Sequence, residues 1–114
     1  MYIAINLRGY SKNIQMTHGG SIYIMTNKLR TTIYIGVTVD LYSRIMDHKN
    51  HIYKKSFTDK YNCEICIYYE HYSTIQQAIA REKEIKKWRR EKKDALINIL
   101  NPKWEDLWND IKNW

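Results

Sequence analysis

Five polar or aromatic residues stand where the chain's own periodicity calls for a core: Tyr23, Tyr34, Arg44, His48 and Glu82. The tyrosines sit inside two short β-branched runs, "SIYIMT" and "TTIYIG". Arg44 and His48 share a helical face with Leu41 and Ile45, because residues three and four apart are neighbours on a helix. Glu82 projects into a stripe made of Ile75, Ala78, Ile79 and Ile85. Each has a plain structural explanation on its own. The tyrosines can be a cross-strand aromatic pair, the arginine can snorkel outward, and the histidine can hydrogen-bond at the core edge. The glutamate can sit in an ion pair, with Arg44 as one candidate partner. Taken together, convergent breaks in a core pattern are expected where function overrides packing.

The chemistry open to such a set is phosphodiester hydrolysis. Arginine offers a planar fork of donors to a phosphoryl group that gathers negative charge in the transition state. One carboxylate with otherwise wet coordination suits Mg²⁺ or Mn²⁺ better than zinc. Such a metal can bind the scissile phosphate and stabilise the leaving oxygen. A tyrosine or histidine can take the proton of the attacking water. No Ser-His-Asp set, phosphate-binding glycine loop or nucleotide fingerprint accompanies these residues.

These residues need a scaffold, and the pattern around them supplies one. The two tyrosine runs flank "NKLR" and read as a hairpin whose paired positions sum to 57, setting Tyr23 opposite Tyr34. Gly36 ends the second strand, where a missing side chain lets another group approach the backbone. Asp40 caps a helix from Leu41 to Asn50. A third strand follows, about Glu64 to Glu70. Ser73 and Gln76 have the spacing of a capping box opening a long helix from Thr74 to about Glu91. A further helix covers Asp94 to Leu100. Asn101 and Pro102 suit the cap and first position of a last helix ending near Lys112, with Trp104, Leu107, Trp108 and Ile111 on one face. The order β-β-α-β-α-α-α predicts an α+β domain built on a small three-stranded antiparallel sheet. Residues 1 to 20 read as an extension ending in the flexible joint "THGG", with Met16 as an alternative start and "YIAINL" able to add an edge strand; residues 21 to 114 form the single domain.

The motifs resemble those of the GIY-YIG endonuclease superfamily. "SIY" (Ser21 to Tyr23) matches the first name-giving motif and "YIG" (Tyr34 to Gly36) the second, with ten residues between the tyrosines. "GVTVDLYSR" resembles the stretch leading to the family's arginine, here Arg44; His48 matches a position held by histidine or tyrosine. "AIAREKEIKKW" resembles the helix carrying the metal-binding glutamate, here Glu82. A tail like "NPKWEDL" is similar to that of small stand-alone bacterial members related to the N-terminal nuclease domain of the bacterial excinuclease. The resemblance therefore spans about Ser21 to Ile111. Ser21 departs from the motif, which has glycine there. What the resemblance implies is metal-dependent DNA cleavage, with Tyr23 or Tyr34 as general base, and a role in repair, recombination or defence. The alternative is a DNA-binding module of the same fold with little or no turnover.

Composition agrees with an acidic partner. The 114 residues carry 19 Lys and Arg against 12 Asp and Glu, a net +7, which DNA phosphates would balance. "REKEIKKWRREKK" holds eight basic and three acidic residues in thirteen; Lys83, Lys87 and Arg90 form its candidate phosphate-binding side. A solvated helix face laced with pairs such as Glu82 to Lys86 is the plain alternative. Such contacts confer little sequence preference, so a partner protein supplying specificity is expected. Tyr42, Tyr53 and Trp88 are candidates for base stacking if exposed. No apolar run approaches the roughly 18 residues a membrane span needs. Cys63 and Cys66, placed in the third strand with opposite orientations, read as reduced cysteines of a cytoplasmic protein.

Overall fold

The computed structural model describes residues 2–3 and 19–113, with backbone alone for Tyr2 and Ile3. The expectations for the rest of the extension, and for Met16, lie outside the described residues. Among the described residues four strands, β1 (Tyr2–Ile3), β2 (Gly20–Thr26), β3 (Ile33–Thr38) and β4 (Ile65–Tyr72), pair antiparallel in the order β1-β4-β2-β3. The three expected strands are thus the body of the sheet, and Tyr2–Ile3 adds a short edge beside β4. The helices described around it are α1 (Leu41–Lys49), α2 (Phe57–Lys60), α3 (Ile75–Lys86), α4 (Arg90–Leu100) and α5 (Trp108–Ile111).

Every residue of β2 is buried, because the sheet has helices on both faces. Alternation then sorts its side chains. Ile22 and Ile24 join Ile35 and Ile67 under Ala78, Ile85 and Ile97 of α3 and α4. Tyr23 and Met25 face Leu41 and Ile45 of α1 and Ile111 of α5. Asp40 caps α1 as expected, accepting from the Ser43 amide.

The hairpin register differs from expectation. Tyr23 pairs with Gly36, and Tyr34 with Met25. The loop is six residues long, Asn27 to Thr32, because the Asn27 side-chain oxygen accepts from the Thr31 and Thr32 amides at 2.9 and 3.2 Å. Arg30 takes the left-handed conformation within it. The slip is two residues, so both tyrosines keep the same face.

Three helical boundaries also shift. The capping box is Thr74 with Gln77, not Ser73 with Gln76; this sets Ile75 against Gly20, where a Cβ would sit 2.7 Å from the isoleucine methyl. The long helix ends at Lys86, since Trp88 turns into the core and Arg89 is extended ahead of α4. Asn101 closes α4 instead of opening a helix. Its side chain is buried, donating to the Ile67 and Glu105 carbonyls at 3.0 and 2.8 Å, and so ties an irregular stretch onto β4. Among the described residues only Trp108–Ile111 is helical beyond it. Trp104 packs with the α3 and α4 side, whereas Leu107 and Trp108 pack with α1. Cys63 precedes β4 and lies buried in the same cluster as Cys66, so the two do not point apart; both are free thiols. Among the described residues no helix is long and apolar enough to cross a membrane.

The Glu70 carboxylate is wholly inside. Standing on β4 and 1% exposed, it accepts from the Tyr68 and Tyr72 hydroxyls at 2.5 and 2.7 Å and from Arg81 of α3 at 3.0 and 3.2 Å. Both its oxygens are engaged twice, and it fixes the rotation of α3. Removing one partner of a buried pair strands the other. Arg81→Met should therefore lower unfolding free energy by about 3 kcal/mol, and Arg81→Met with Glu70→Gln should recover most of it. Denaturant melts read both; a single variant within about 1 kcal/mol of wild type would refute the coupling.

Candidate active site

Tyr23, Tyr34, Arg44 and His48 converge at the outer end of the β2–β3 face, under α1. The Tyr23 ring is fully buried and lies across β3 at Gly36. A Cβ at residue 36 would overlap the phenol carbon and hydroxyl of Tyr23, so only glycine fits there. The hydroxyl emerges beside α1, 2.8 Å from His48 Nε2. His48 Nδ1 meets Thr58 Oγ1 of α2 at 3.0 Å, and Ser56 Oγ lies 3.2 Å beyond. If Nδ1–H donates to Thr58, Nε2 is free to accept from Tyr23, so the threonine selects the tautomer the tyrosine requires.

Around this chain of hydrogen bonds lies an open cleft of about 270 Å³, lined by Tyr34, Arg44, His48, Tyr53, Ser56, Phe57 and Thr58. Tyr34 is half-buried at its wall, 6.3 Å from the Tyr23 ring and 5.7 Å, edge-on, from His48. The Arg44 guanidinium sits 5.5 Å over the Tyr53 ring. Burial pushes the Tyr23 phenol well above its ordinary range, Tyr34 adds to the shift, and Arg44 opposes it. Burial likewise lowers His48 to about 4, with the Arg44 charge second. His48 is therefore neutral at pH 7. Burial works against the Arg44 charge, but the neighbouring Tyr23, Tyr53 and Tyr34 outweigh it and raise its pKa.

Glu82 is not in this group. It stands on α3, whose Ala78 and Ile85 pack on the opposite face of the sheet, and its carboxylate pairs with Lys86 at 3.0 Å instead of with Arg44. Ile79 of the expected apolar stripe is exposed. Among the described residues no group of three or more His, Cys, Asp or Glu could hold a metal. A hard cation that keeps most of its waters needs no such group. The Glu82 side chain, 13% exposed and paired with a lysine that is half in solvent, has the chemistry for single-carboxylate coordination.

Of the basic patch, Lys83 and Lys87 are exposed. Arg90 belongs to the next helix and is engaged by Asp94 at 2.8 Å and the Thr31 carbonyl at 3.0 Å. Tyr53 is exposed, while Tyr42 packs on Trp108 and Trp88 on the core. Sequence reasoning missed Thr58, Ser56 and Phe57. The one available signal was "SFTD", a serine cap three residues before an aspartate.

Two outcomes follow from this geometry. Gly36→Ala should cost about 2 kcal/mol of stability and displace the Tyr23 ring; an unchanged melt would contradict the overlap. His48 and His71, both lowered by burial to about 4, titrate near 6.5 when unfolded. The folded chain then binds fewer protons than the unfolded one between those values, so stability is present above pH 6.5 and falls as pH drops toward 4. The loss should be roughly 5 kcal/mol by pH 4.5 for the two together, though His51, raised by its carboxylate partners Glu64 and Asp59, works the other way. Histidine NMR titration gives the direct check: a His48 midpoint near 6.5 would refute the buried, neutral assignment.

A search of curated proteins and of solved structures gives no match. The family model for the GIY-YIG catalytic domain, however, matches residues 19–95, which contain the strand pair, the convergent cleft and α3. With two thirds of its length matched and the tyrosines, Gly36 and Arg44 gathered as described, the chain belongs to the GIY-YIG family of nuclease domains.

Proposed function

We propose that this chain is an endonuclease that hydrolyses DNA phosphodiester bonds with the help of a divalent metal ion. The observation that carries the reading is the cleft in which Arg44, Tyr34 and a neutral His48 face one open volume. Arg44 supplies the fork of donors for the non-bridging oxygens of a phosphate seated there. Both His48 nitrogens are engaged, by Tyr23 and Thr58. Tyr34, which lines the cleft, is assigned as the group that takes a proton from the attacking water after giving up its own to solvent, while buried Tyr23 acts as a positioning residue for His48. Glu82 would hold the cation, Mg²⁺ or Mn²⁺. When bound, a cation of this kind supplies positive charge to the scissile phosphate and the leaving oxygen. Lys83 and Lys87 extend a phosphate-binding surface along α3, with Arg90 a weaker contributor. Reduced cysteines buried in the core fit a cytoplasmic setting.

One observation favours a second reading, a DNA-binding module without turnover: Glu82 lies in the layer across the sheet from Arg44. Labelled duplex, forked and single-stranded DNA incubated with Mg²⁺, Mn²⁺ or chelator separates the two. Wild type should cut only with metal. Arg44→Lys should slow cutting by about 100- to 1000-fold, and Glu82→Gln should abolish it while leaving DNA affinity in chelator within about twofold. Cutting in chelator, or undiminished cutting by Glu82→Gln, would remove the metal from the reading. Binding without any cutting by wild type would establish the module.

A further inference from the structure

Between α1 and β4 the chain leaves three aromatic rings in solvent beside the cleft. Tyr53, Phe57 and Tyr61 are 37%, 45% and 43% exposed, and Phe57 is the only phenylalanine in the chain. Phe57 and Tyr61 continue inward as a staircase; Tyr53 stands apart from it, with Arg44 5.5 Å over its ring and its hydroxyl donated to Asp47 at 2.8 Å. Tyr34 stacks on Phe57 at 6.0 Å and 28°, and Phe57 meets Tyr61 at 4.7 Å and 48°. The inner step lines the cleft and the outer step leads away from it.

The segment that carries the rings is fixed. His51, Lys55 and Asn62 all adopt left-handed conformations. His51 bridges Asp59 Oδ1 at 2.8 Å and the Glu64 carboxylate, and Asp59 Oδ2 accepts from the Lys55 amide at 3.0 Å. Ser56 caps α2 through the Asp59 amide. With Asp59 and Glu64 turned toward His51, the outward charge around Phe57 and Tyr61 is that of exposed Lys54, Lys55 and Lys60, the last 5.4 Å from the Tyr61 ring, and Asp47 stands on the Tyr53 side. Exposed rings that are held in place, interleaved with lysines and continuous with the cleft, match the chemistry of unpaired nucleotides: flat faces for bases, cations for the phosphates between them.

We propose that Phe57 and Tyr61 form a stacking ledge for unpaired bases, so that the preferred substrate is DNA with single-stranded nucleotides next to the scissile phosphate. A fully paired duplex keeps its bases stacked on each other and offers this ledge only an edge. The choice of substrate rests on the nuclease reading; the stacking itself does not.

The test measures binding in chelator, by fluorescence anisotropy, of a plain duplex and of the same duplex ending in a run of unpaired thymidines. Phe57→Leu and Tyr61→Leu keep apolar bulk and remove the π faces. Together they should lower the ratio of forked to duplex affinity by about 10- to 100-fold, the size of one or two lost stacks. Phe57→Trp should retain that ratio or raise it, which guards against a leucine variant that merely misfolds. A 2-aminopurine in the unpaired run should be quenched on binding to wild type and not to the double variant. An unchanged ratio, or equal losses on both DNAs, overturns the ledge, as it would if a protein partner occupied these rings. Cleavage by wild type is scored separately. If the ratio falls but nothing is cut, the nuclease reading fails and the ledge stands. If DNA is cut while the ratio stays unchanged, the ledge fails and the nuclease reading stands.

Discussion

The Tyr23 phenol lies wholly inside the protein, and a buried hydroxyl without a partner costs several times what a hydrogen bond contributes. Meeting that requirement fixes much of what surrounds it. The ring must cross β3, so residue 36 must lack a Cβ. The hairpin must therefore pair residue 23 with residue 36, not with residue 34. The hydroxyl must find an acceptor, so α1 must turn His48 inward beside Leu41 and Ile45. His48 in turn has a second nitrogen to satisfy, which brings Thr58 and α2 against α1. A single phenol thus links two strands, two helices and the loop between them.

That linkage has a consequence for dynamics. The stretch from His51 to Glu64 is largely irregular, a composition that ordinarily makes a mobile loop. Here it is anchored three times: by Thr58 on His48, by His51 on Asp59 and Glu64, and by Lys49 on the Glu64 carbonyl at 2.9 Å. Three left-handed residues carry conformational cost that such anchoring must offset. A segment held so firmly in an unfavourable backbone state is better suited to presenting fixed side chains than to opening and closing.

The sheet, the face shared by both tyrosines and the polar cluster were legible in the sequence because all three depend on short periodicities. Tyr23, Tyr34, Arg44 and His48 were found by asking which residues violate the core pattern, and those four do converge. What stayed hidden depends on side chains overriding local rules. Asn27 lengthens a turn to six residues and slips the pairing by two, Asn101 ends a helix where Asn-Pro ordinarily begins one, and Trp88 breaks a helix with no glycine or proline to announce it. Thr58 gave no signal beyond the Ser56 cap, because its role is a contact ten residues away made from a one-turn helix too short to show periodicity. Glu82 shows the opposite limit. The helical stripe that singled it out says which face of α3 it occupies, but not on which side of the sheet that helix packs.

Arg44 and Glu82 reach a common phosphate only under a geometric constraint set by the sheet. The sheet lies between their helices, so the two side chains can act on one group only around an edge. In the observed strand order β3 is the outer strand on that side, and α3 packs along both β3 and β2. An edge strand presents unpaired backbone groups and, at Gly36, no side chain. A DNA backbone following this edge would have Arg44 and Tyr34 on one flank and α3 with its lysines on the other. Gly36 serves the first of these flanks: it is buried, and its missing side chain admits the Tyr23 ring that builds the site.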